Sequence, residues 1–258
     1  MCETCGCAVA TERPAATETI TVMRGILDQN AAQAAHNRAH FEAHDVLALN
    51  LMSAPGSGKT ALLERTIDEL AGRLRCAVIE GDLETDNDAR RIRRHGVPAI
   101  QITTGATCHL DAAMVHEALH QLPLAGLDVV FIENVGNLVC PASFALGTHA
   151  DIALLSVPEG DDKAAKYPVM FRAASLVLVS KADLLPVFED FSVAAVRTAV
   201  QALANPAPVL TVSVKSGVGI LDWVEWLCAA VAARRARPGA EPSRAPAHFS
   251  AAPFAQPS

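Results

Sequence analysis

The sequence predicts an α/β fold, in which a doubly wound and mostly parallel sheet of seven strands carries helices on both faces. Seven short apolar runs alternate with segments of helical periodicity, which is the pattern of a parallel sheet. The runs are too apolar for strands with one wet face, so helices must cover both sides. The predicted strands are residues 46–52, 76–79, 99–102, 127–132, 152–155, 176–179 and 209–212.

Length and composition favour one globular domain with appendages. A chain of 258 residues with 51% hydrophobic content can bury a full core. We expect the main domain, with an N-terminal helix, over residues 18–235. A metal-binding motif with a flexible tether at 1–17 precedes it, and a disordered tail at 236–258 follows it.

Charge and hydropathy argue against two kinds of partner. The net charge of −7 disfavours nucleic acid, whose phosphates bind basic surfaces. No apolar run is long enough to span a membrane and no signal-like segment begins the chain, so we expect a cytoplasmic protein. In that compartment the seven cysteines are expected to be metal ligands, catalytic groups or core residues rather than disulfides.

A glycine-rich turn, Ser53-Ala-Pro-Gly-Ser-Gly-Lys-Thr60, joins the first predicted strand to a helical segment. This order is that of a phosphate-binding loop (P-loop), whose backbone N–H groups surround a nucleoside triphosphate at the positive end of a helix. We assign Lys59 to the β- and γ-phosphates and the Thr60 hydroxyl to Mg²⁺. Ser53 stands where the motif usually has its first glycine. Further nucleotide contacts are predicted at Gly56, Ser57 and Gly58.

Acidic residues follow two of the predicted strands. Asp82 lies three residues after the second strand, and Glu133 closes the fourth. Acids at strand ends beside a phosphate loop hold Mg²⁺ or orient the attacking water, so both residues are candidates for catalysis and for Mg²⁺. Gly136 stands where such proteins contact the γ-phosphate through a backbone N–H.

Ser180-Lys-Ala-Asp183 follows the sixth strand and predicts recognition of guanine. The Asp183 carboxylate can accept from both N–H donors of guanine, a pair that adenine lacks, and the Lys181 stem can cover the base. Ser180 replaces the asparagine usual at this point, which predicts weaker bracing of the loop. Ser213 and Lys215, after the last strand, are expected to form the second loop against the base.

Two groups of residues have the chemistry of soft-metal ligands. Cys2, Cys5 and Cys7 crowd the N-terminus with a C-x-x-C spacing, which suits Zn²⁺, Ni²⁺ or Cu⁺. The second group would form only if Cys140 came near Cys108 and His109, and it would then suit Zn²⁺ or Ni²⁺. Idle thiols, in the second case with a capping histidine, remain the alternative for each group.

Five histidines fall at helical spacing. His36, His40 and His44 share one face of the first predicted helix, and His116 and His120 lie one turn apart further along. We interpret both segments as solvated helix faces, with a ligand role for the first three histidines as the minor alternative.

The chain resembles the HypB family, the nickel-inserting GTPases of [NiFe]-hydrogenase maturation. The resemblance covers about residues 1–216, and Glu133-Asn-Val-Gly-Asn-Leu-Val-Cys-Pro141 is its most specific part. A histidine-rich run found in some relatives is missing after the N-terminal thiols. The other matching stretches are Cys2-x-x-Cys-Gly-Cys7, Pro55–Thr60, Gly81-Asp82, Cys108-His109, Glu159–Lys163 and Lys181-x-Asp183.

The resemblance implies a SIMIBI-type P-loop GTPase that dimerises with GTP and hydrolyses it to GDP. It implies a tight metal site at the N-terminal thiols and a weaker one, for nickel or zinc, at Cys108, His109 and Cys140 near the dimer interface. It also implies that Lys163 reaches the partner subunit's nucleotide. The implied partners are a nickel chaperone and a hydrogenase large-subunit precursor.

These features suggest a switch, in which GTP and Mg²⁺ draw Gly136 toward the γ-phosphate and Cys140 moves with the same loop. Three alternatives stay open. A related urease GTPase should carry Cys-Pro-His in place of the separated metal residues, and an ATP-driven enzyme is disfavoured by Asp183. A metal-sequestering protein with a vestigial nucleotide site is disfavoured by intact Lys59 and Thr60.

Overall fold

The structure, a computed structural model, describes residues 16–84, 86–105 and 107–236. The N-terminal thiols Cys2, Cys5 and Cys7 and the predicted tail beyond Ala236 lie outside the described residues. The division at residues 17 and 236 therefore stays a prediction. Within the described part, no helix is long and apolar enough to cross a bilayer.

Helices and strands alternate along the chain after a long first helix. The seven strands begin and end within three residues of the predicted apolar runs. In order, the elements are α1 (Ala16–Ala43), β1 (Leu47–Ser53), α2 (Lys59–Leu70), β2 (Cys76–Asp82), α3 (Asn87–Arg93), β3 (Ala99–Thr103), α4 (Ala112–Leu119), β4 (Val129–Glu133), β5 (Ala150–Ser156), α5 (Lys163–Lys166), α6 (Pro168–Ala173), β6 (Leu176–Ser180), α7 (Val193–Ala202), β7 (Val209–Thr211) and α8 (Ile220–Arg235).

The strands form one sheet in the order β3-β2-β4-β1-β5-β6-β7, and every neighbouring pair is parallel. The predicted α/β fold is thus confirmed, with a wholly parallel sheet. The chain runs outward from β1 in both directions, and β4 returns to lie between β2 and β1. Ligands of such sheets bind beyond the carboxyl ends of the strands, near the point where the order reverses.

Helices cover both faces because the side chains of each strand alternate between them. Leu47, Leu49 and Leu51 of β1 pack on the face covered by α2, α3 and α8. Ala48 packs on the opposite face with residues of α1 and α4, and Met52 packs there with residues of α6 and α7. The strands are buried on both sides, which accounts for their near-continuous apolar sequences.

A buried amide fixes α1 against the sheet. Asn37 is fully buried, and its Nδ2 donates to the carbonyl oxygens of Ala112 at 2.8 Å and Leu146 at 3.1 Å. Asn30, two turns earlier, accepts from the Ala112 N–H at 2.8 Å. These bonds bring α1 alongside α4 and satisfy backbone groups at the beginning of α4.

Candidate nucleotide and metal sites

The turn after β1 has the backbone that a phosphate loop needs. Gly56 and Gly58 have φ angles of 73° and 94°, a left-handed region in which other residues are strained. Ser53, where the motif usually has glycine, is fully buried, and its Oγ accepts from Lys59 Nζ at 3.0 Å and from the Ser57 hydroxyl. The serine therefore holds the lysine over the loop.

Two buried carboxyl groups lie below this loop. The Thr60 hydroxyl donates to Glu133 Oε1 at 2.9 Å, which joins the beginning of α2 to the end of β4. Glu80 on β2 is in register with Glu133, so the two side chains share the face that α2 covers. Both are almost completely buried. Glu80 is a site residue that its place inside an apolar strand does not indicate from sequence alone.

Burial shapes the protonation of this pair. Burial, followed by the charge of Glu133, raises the pKa of Glu80 well above its ordinary value. Burial also raises the pKa of Glu133, although Lys59 and the Thr60 hydroxyl oppose that rise. Neither Oε2 atom has a hydrogen-bond partner within the described residues. Uncompensated buried oxygens of this kind suit a hard cation with its water shell.

Asp82 and Gly136 border the same cleft, which has a volume of about 410 Å³ and is lined by the phosphate loop, both acids and Asp88. Asp82 Oδ1 accepts from the Glu84 N–H at 3.0 Å. A Cβ atom on Gly136 would lie 2.8 Å from Pro55 Cα and 2.9 Å from Pro55 N. Only glycine lets the loop after β4 pack this closely on the phosphate loop.

A second and largely apolar cleft of about 310 Å³ adjoins the first. Asp183 lies in it, and its Oδ1 accepts from the Ser213 hydroxyl at 2.6 Å. Lys215 and the apolar side chains of Leu62 and Val212 also line it. A carboxylate oriented by one hydroxyl inside an apolar slot suits a flat heterocycle with N–H donors.

Ser180 and Lys181 connect this second cleft to the phosphate loop. The Ser180 hydroxyl donates to the Ser57 carbonyl at 2.7 Å, and Lys181 Nζ donates to the Gly56 carbonyl at 2.7 Å. The shorter side chain of Ser180 thus still reaches the loop backbone, and weaker bracing than an asparagine would give stays a prediction.

The structure brings Cys108 and His109, which lie in the loop after β3, together with Cys140, which lies in the loop after β4. One ligand atom of each lies within 4.8 Å of the others, and the two sulfurs are 3.1 Å apart. The His109 ring stacks on Phe144 with a centroid distance of 4.0 Å. The buried His109 Nδ1 has no hydrogen-bond partner among the described residues. Two sulfurs and one imidazole nitrogen form a set suited to Zn²⁺ or Ni²⁺.

Protonation of the trio is also set by its surroundings. The hydrogen bond with Cys108, together with burial, raises the pKa of the Cys140 thiol. Burial lowers the pKa of His109, which favours the neutral imidazole that a metal requires. Metal binding at this point must therefore displace thiol protons.

Two asparagines after β4 connect the cleft to this trio. Asn134 Oδ1 accepts from the Leu110 N–H at 3.1 Å, and Leu110 directly follows His109. Asn137 Oδ1 accepts from the N–H of Val139 at 2.8 Å and of Cys140 at 3.4 Å. Both parts of the trio thus depend on the segment that begins at Glu133. The residue types and spacing of this segment alone do not indicate a role for either asparagine.

Lys163 is a predicted nucleotide contact that the structure does not bring to the other predicted site residues. It begins α5 and lies with its Nζ 5.8 Å from the centroid of the Tyr167 ring. It is absent from the lining of both clefts. Its contact with a partner subunit's nucleotide stays a prediction.

Residues 47–211 match the family described as CobW/HypB/UreG, nucleotide-binding domain. The hydrogenase maturation factor HypB of Azotobacter vinelandii is 52% identical over 208 residues, covering 81% of this chain and 68% of the relative. The chain belongs to the HypB family. The resemblance stated from the sequence is thereby confirmed.

Solved HypB structures share the fold. HypB from Helicobacter pylori, in complex with nickel, matches with a TM-score of 0.76 and 44% identity, covering 80% of this chain and 96% of that one. HypB from Archaeoglobus fulgidus matches with a TM-score of 0.74 and 35% identity, covering 80% and 100%. The aligned part of this chain thus covers almost the whole length of both solved HypB chains.

Gly136→Ala tests the close packing of the two loops. The added Cβ meets backbone atoms of Pro55, which cannot rotate away, so the loop must move. We expect at least a tenfold loss of nucleoside triphosphate turnover, measured as phosphate release, with the sheet intact by circular dichroism. Gly25→Ala is the matched control, since its Cβ meets nothing within 4 Å. Normal turnover in Gly136→Ala would show that the close approach has no role.

Proposed function

We propose that the chain is a GTP-hydrolysing metallochaperone that binds nickel and zinc and delivers nickel to a [NiFe]-hydrogenase precursor. In this proposal, metal binding is coupled to GTP-dependent dimerisation. The observation that carries it is the segment from Glu133 to Cys140, which begins at a phosphate-loop contact and ends at a soft-metal trio. The bound nickel of the H. pylori relative supports the choice of metal.

The nucleotide chemistry follows from the first cleft. Lys59 neutralises the β- and γ-phosphates, and the loop N–H groups between Gly56 and Lys59 bind their oxygens. Thr60 and Glu133, with Asp82, hold Mg²⁺, which when bound neutralises charge that develops on the phosphates. The unpartnered Oε2 of Glu133 fits that role. Asp82 orients the attacking water at the rim of the cleft.

Guanine occupies the second cleft. Asp183 accepts from the base N–H groups, while the Ser213 hydroxyl holds one oxygen of the same carboxylate. The stems of Lys181 and Lys215 cover the faces of the base. Since Lys181 also donates to the Gly56 carbonyl, occupation of this cleft and of the phosphate loop are linked.

Nickel is the cargo, bound by Cys108, His109 and Cys140. Three protein ligands leave a position open for a residue of a second subunit or for the recipient's ligand, which is what transfer requires. The N-terminal thiols Cys2, Cys5 and Cys7 form a separate and tighter site. Zinc competes at both, because sulfur–imidazole sets accept either ion.

The γ-phosphate controls the cargo through Gly136. When GTP is bound, the Gly136 N–H turns toward the γ-phosphate, and the segment carrying Asn137 and Cys140 follows. Two subunits then dimerise, and Lys163 reaches the partner's nucleotide. Hydrolysis releases the loop, and nickel passes to the hydrogenase large-subunit precursor, assisted by a nickel chaperone. We place this activity in the cytoplasm, where thiols stay reduced.

Asp183→Asn tests the base assignment. An asparagine keeps an oxygen for the Ser213 hydroxyl but presents an N–H₂ group to the base, which suits the C2 carbonyl of xanthine rather than the amine of guanine. We expect the ratio of turnover with GTP to turnover with XTP to fall at least a hundredfold. Asp190→Asn, an exposed change of equal charge, is the control. An unaltered preference for GTP would contradict the assignment.

Cys140→Ala tests the cargo site and its separation from the N-terminus. We expect the variant to lose one bound nickel per chain in the presence of a GTP analogue, because two remaining ligands hold the ion weakly. Deletion of residues 1–7 should remove a different equivalent and leave GTP hydrolysis intact. Bound metal is counted by mass spectrometry of the native protein. If Cys140→Ala binds as many nickel ions as the unaltered chain, the trio is not the cargo site.

A further inference from the structure

Five imidazoles meet between α1 and α4, on a part of the surface that the proposed function does not use. They come from two elements that are far apart in sequence, and the structure places them side by side. We define the histidine cluster as His36, His40, His44, His116 and His120. The two helix faces that were predicted to be solvated therefore lie next to each other.

The ring positions suit a chelate. His116 and His120 are one helical turn apart, and their Nε2 atoms are separated by 3.1 Å. Two imidazole nitrogens bound to one tetrahedral ion would be about 3.3 Å apart. The His40 ring centroid lies 6.3 Å from that of His116 and 6.1 Å from that of His120. A rotation of the His40 side chain would therefore bring a third nitrogen to the pair.

The tautomer of His116 is fixed in the form that binds a metal. Both Nδ2 hydrogens of the buried Asn37 are used by carbonyl oxygens, so its Oδ1 must be an acceptor. His116 Nδ1, 3.1 Å from that oxygen, must then carry the proton. The lone pair of His116 is left on Nε2, which faces His120. A hydrogen bond that orients an imidazole in this way is typical of the surroundings of metal sites.

His44 shows the same arrangement at the other side of the cluster. Its Nδ1 lies 2.9 Å from the carbonyl oxygen of His40, which can only accept, so the His44 proton is on Nδ1 and its lone pair is on Nε2. Two of the five rings thus present a metal-binding nitrogen without any tautomer change.

The surroundings of the histidine cluster favour binding of a metal cation over protonation of its imidazoles. Both α1 and α4 end beside the cluster, at Ala43 and Leu119, so their negative dipole ends lie nearby. Burial, followed by the neighbouring histidines, lowers the pKa of His40 and His116, which keeps both rings neutral near pH 7. His40 Nδ1 is buried and has no hydrogen-bond partner within the described residues. His36 and His120 are exposed, so an ion can enter from solvent.

We propose that the histidine cluster is a further binding site for a borderline divalent cation, Ni²⁺ or Zn²⁺, with His116 and His120 as its core and His40 as the third ligand. It is distinct from the N-terminal thiols and from the trio of Cys108, His109 and Cys140. Helix α4 begins three residues after that trio's His109 and ends at the cluster. Since a helix rises 1.5 Å per residue, the eight residues of α4 span about 12 Å between the two sites. An ion held by imidazole alone is bound more loosely than one held by thiolates, which suits a loading site.

Nickel titration of the full chain under reducing conditions tests the proposal, with two readings at each point. Dialysis followed by metal analysis counts all bound nickel, and the near-ultraviolet charge-transfer absorption counts nickel bound to thiolate. We expect the first count to exceed the second by one ion per chain. In His120→Gln that extra ion should be lost or bound at least tenfold more weakly, with the charge-transfer absorption unchanged.

The controls make the result decisive. His120 is exposed, so its replacement should preserve the fold, and unchanged GTP hydrolysis in a buffer that contains Mg²⁺ but no nickel or zinc checks this. His95→Gln removes a histidine that pairs with Asp68 at the end of α3, and it should bind nickel like the unaltered chain. A titration of His120→Gln that superimposes on that of the unaltered chain overturns the proposal, as does the absence of any nickel beyond the thiolate-bound count.

Discussion

The side-chain amide of Asn134 is the contact on which the two sites depend. It is fully buried directly after β4, and its oxygen accepts from the N–H of Leu110 beside His109 and from the N–H of Val135. Its Nδ2 donates to Asn50 of β1 at 3.1 Å, and β1 leads directly into the phosphate loop. Because a buried amide cannot exchange these partners for water, the ends of β1 and β4 and the loop before α4 must keep their mutual positions or move together.

The buried acids give this arrangement a second constraint. Glu80 and Glu133 lie side by side under the phosphate loop, and burial raises the pKa of both, so their surroundings disfavour two negative charges. A cation that reaches the cleft with a nucleotide would reverse that balance. The bond from Thr60 to Glu133 then connects the phosphate side of the cleft to the strand that ends at Asn134. The phosphate side of the cleft and the trio of Cys108, His109 and Cys140 are thus both connected to the end of β4.

The strands and the phosphate loop could be predicted from the sequence because the pattern that indicates each of them is local. The strands are continuous apolar runs, and Gly56 and Gly58 lie in a motif whose backbone demands are known. Cys108 and Cys140 could be proposed as partners by residue type and by the resemblance to the HypB family, but not from local sequence, because they follow β3 and β4, which β2 separates in the sheet. Glu80 and the histidine cluster were missed for the same reason. Strand register places Glu80 beside Glu133, and helix packing places the histidines of α1 beside those of α4. Neither arrangement can be inferred from neighbouring residues in the sequence.

The central claim is that nucleotide and metal are coupled through the segment from Glu133 to Cys140. The most direct measurement is a linkage cycle on the full chain, carried out by calorimetry with Mg²⁺ present. Nickel affinity is measured with GDP and with a non-hydrolysable GTP analogue, and the affinity of each nucleotide is measured with and without nickel. We predict that the analogue changes nickel affinity at least tenfold and that nickel changes the preference for the analogue over GDP by the same factor, because coupling is reciprocal. Equal nickel affinities in the two nucleotide states would contradict the account.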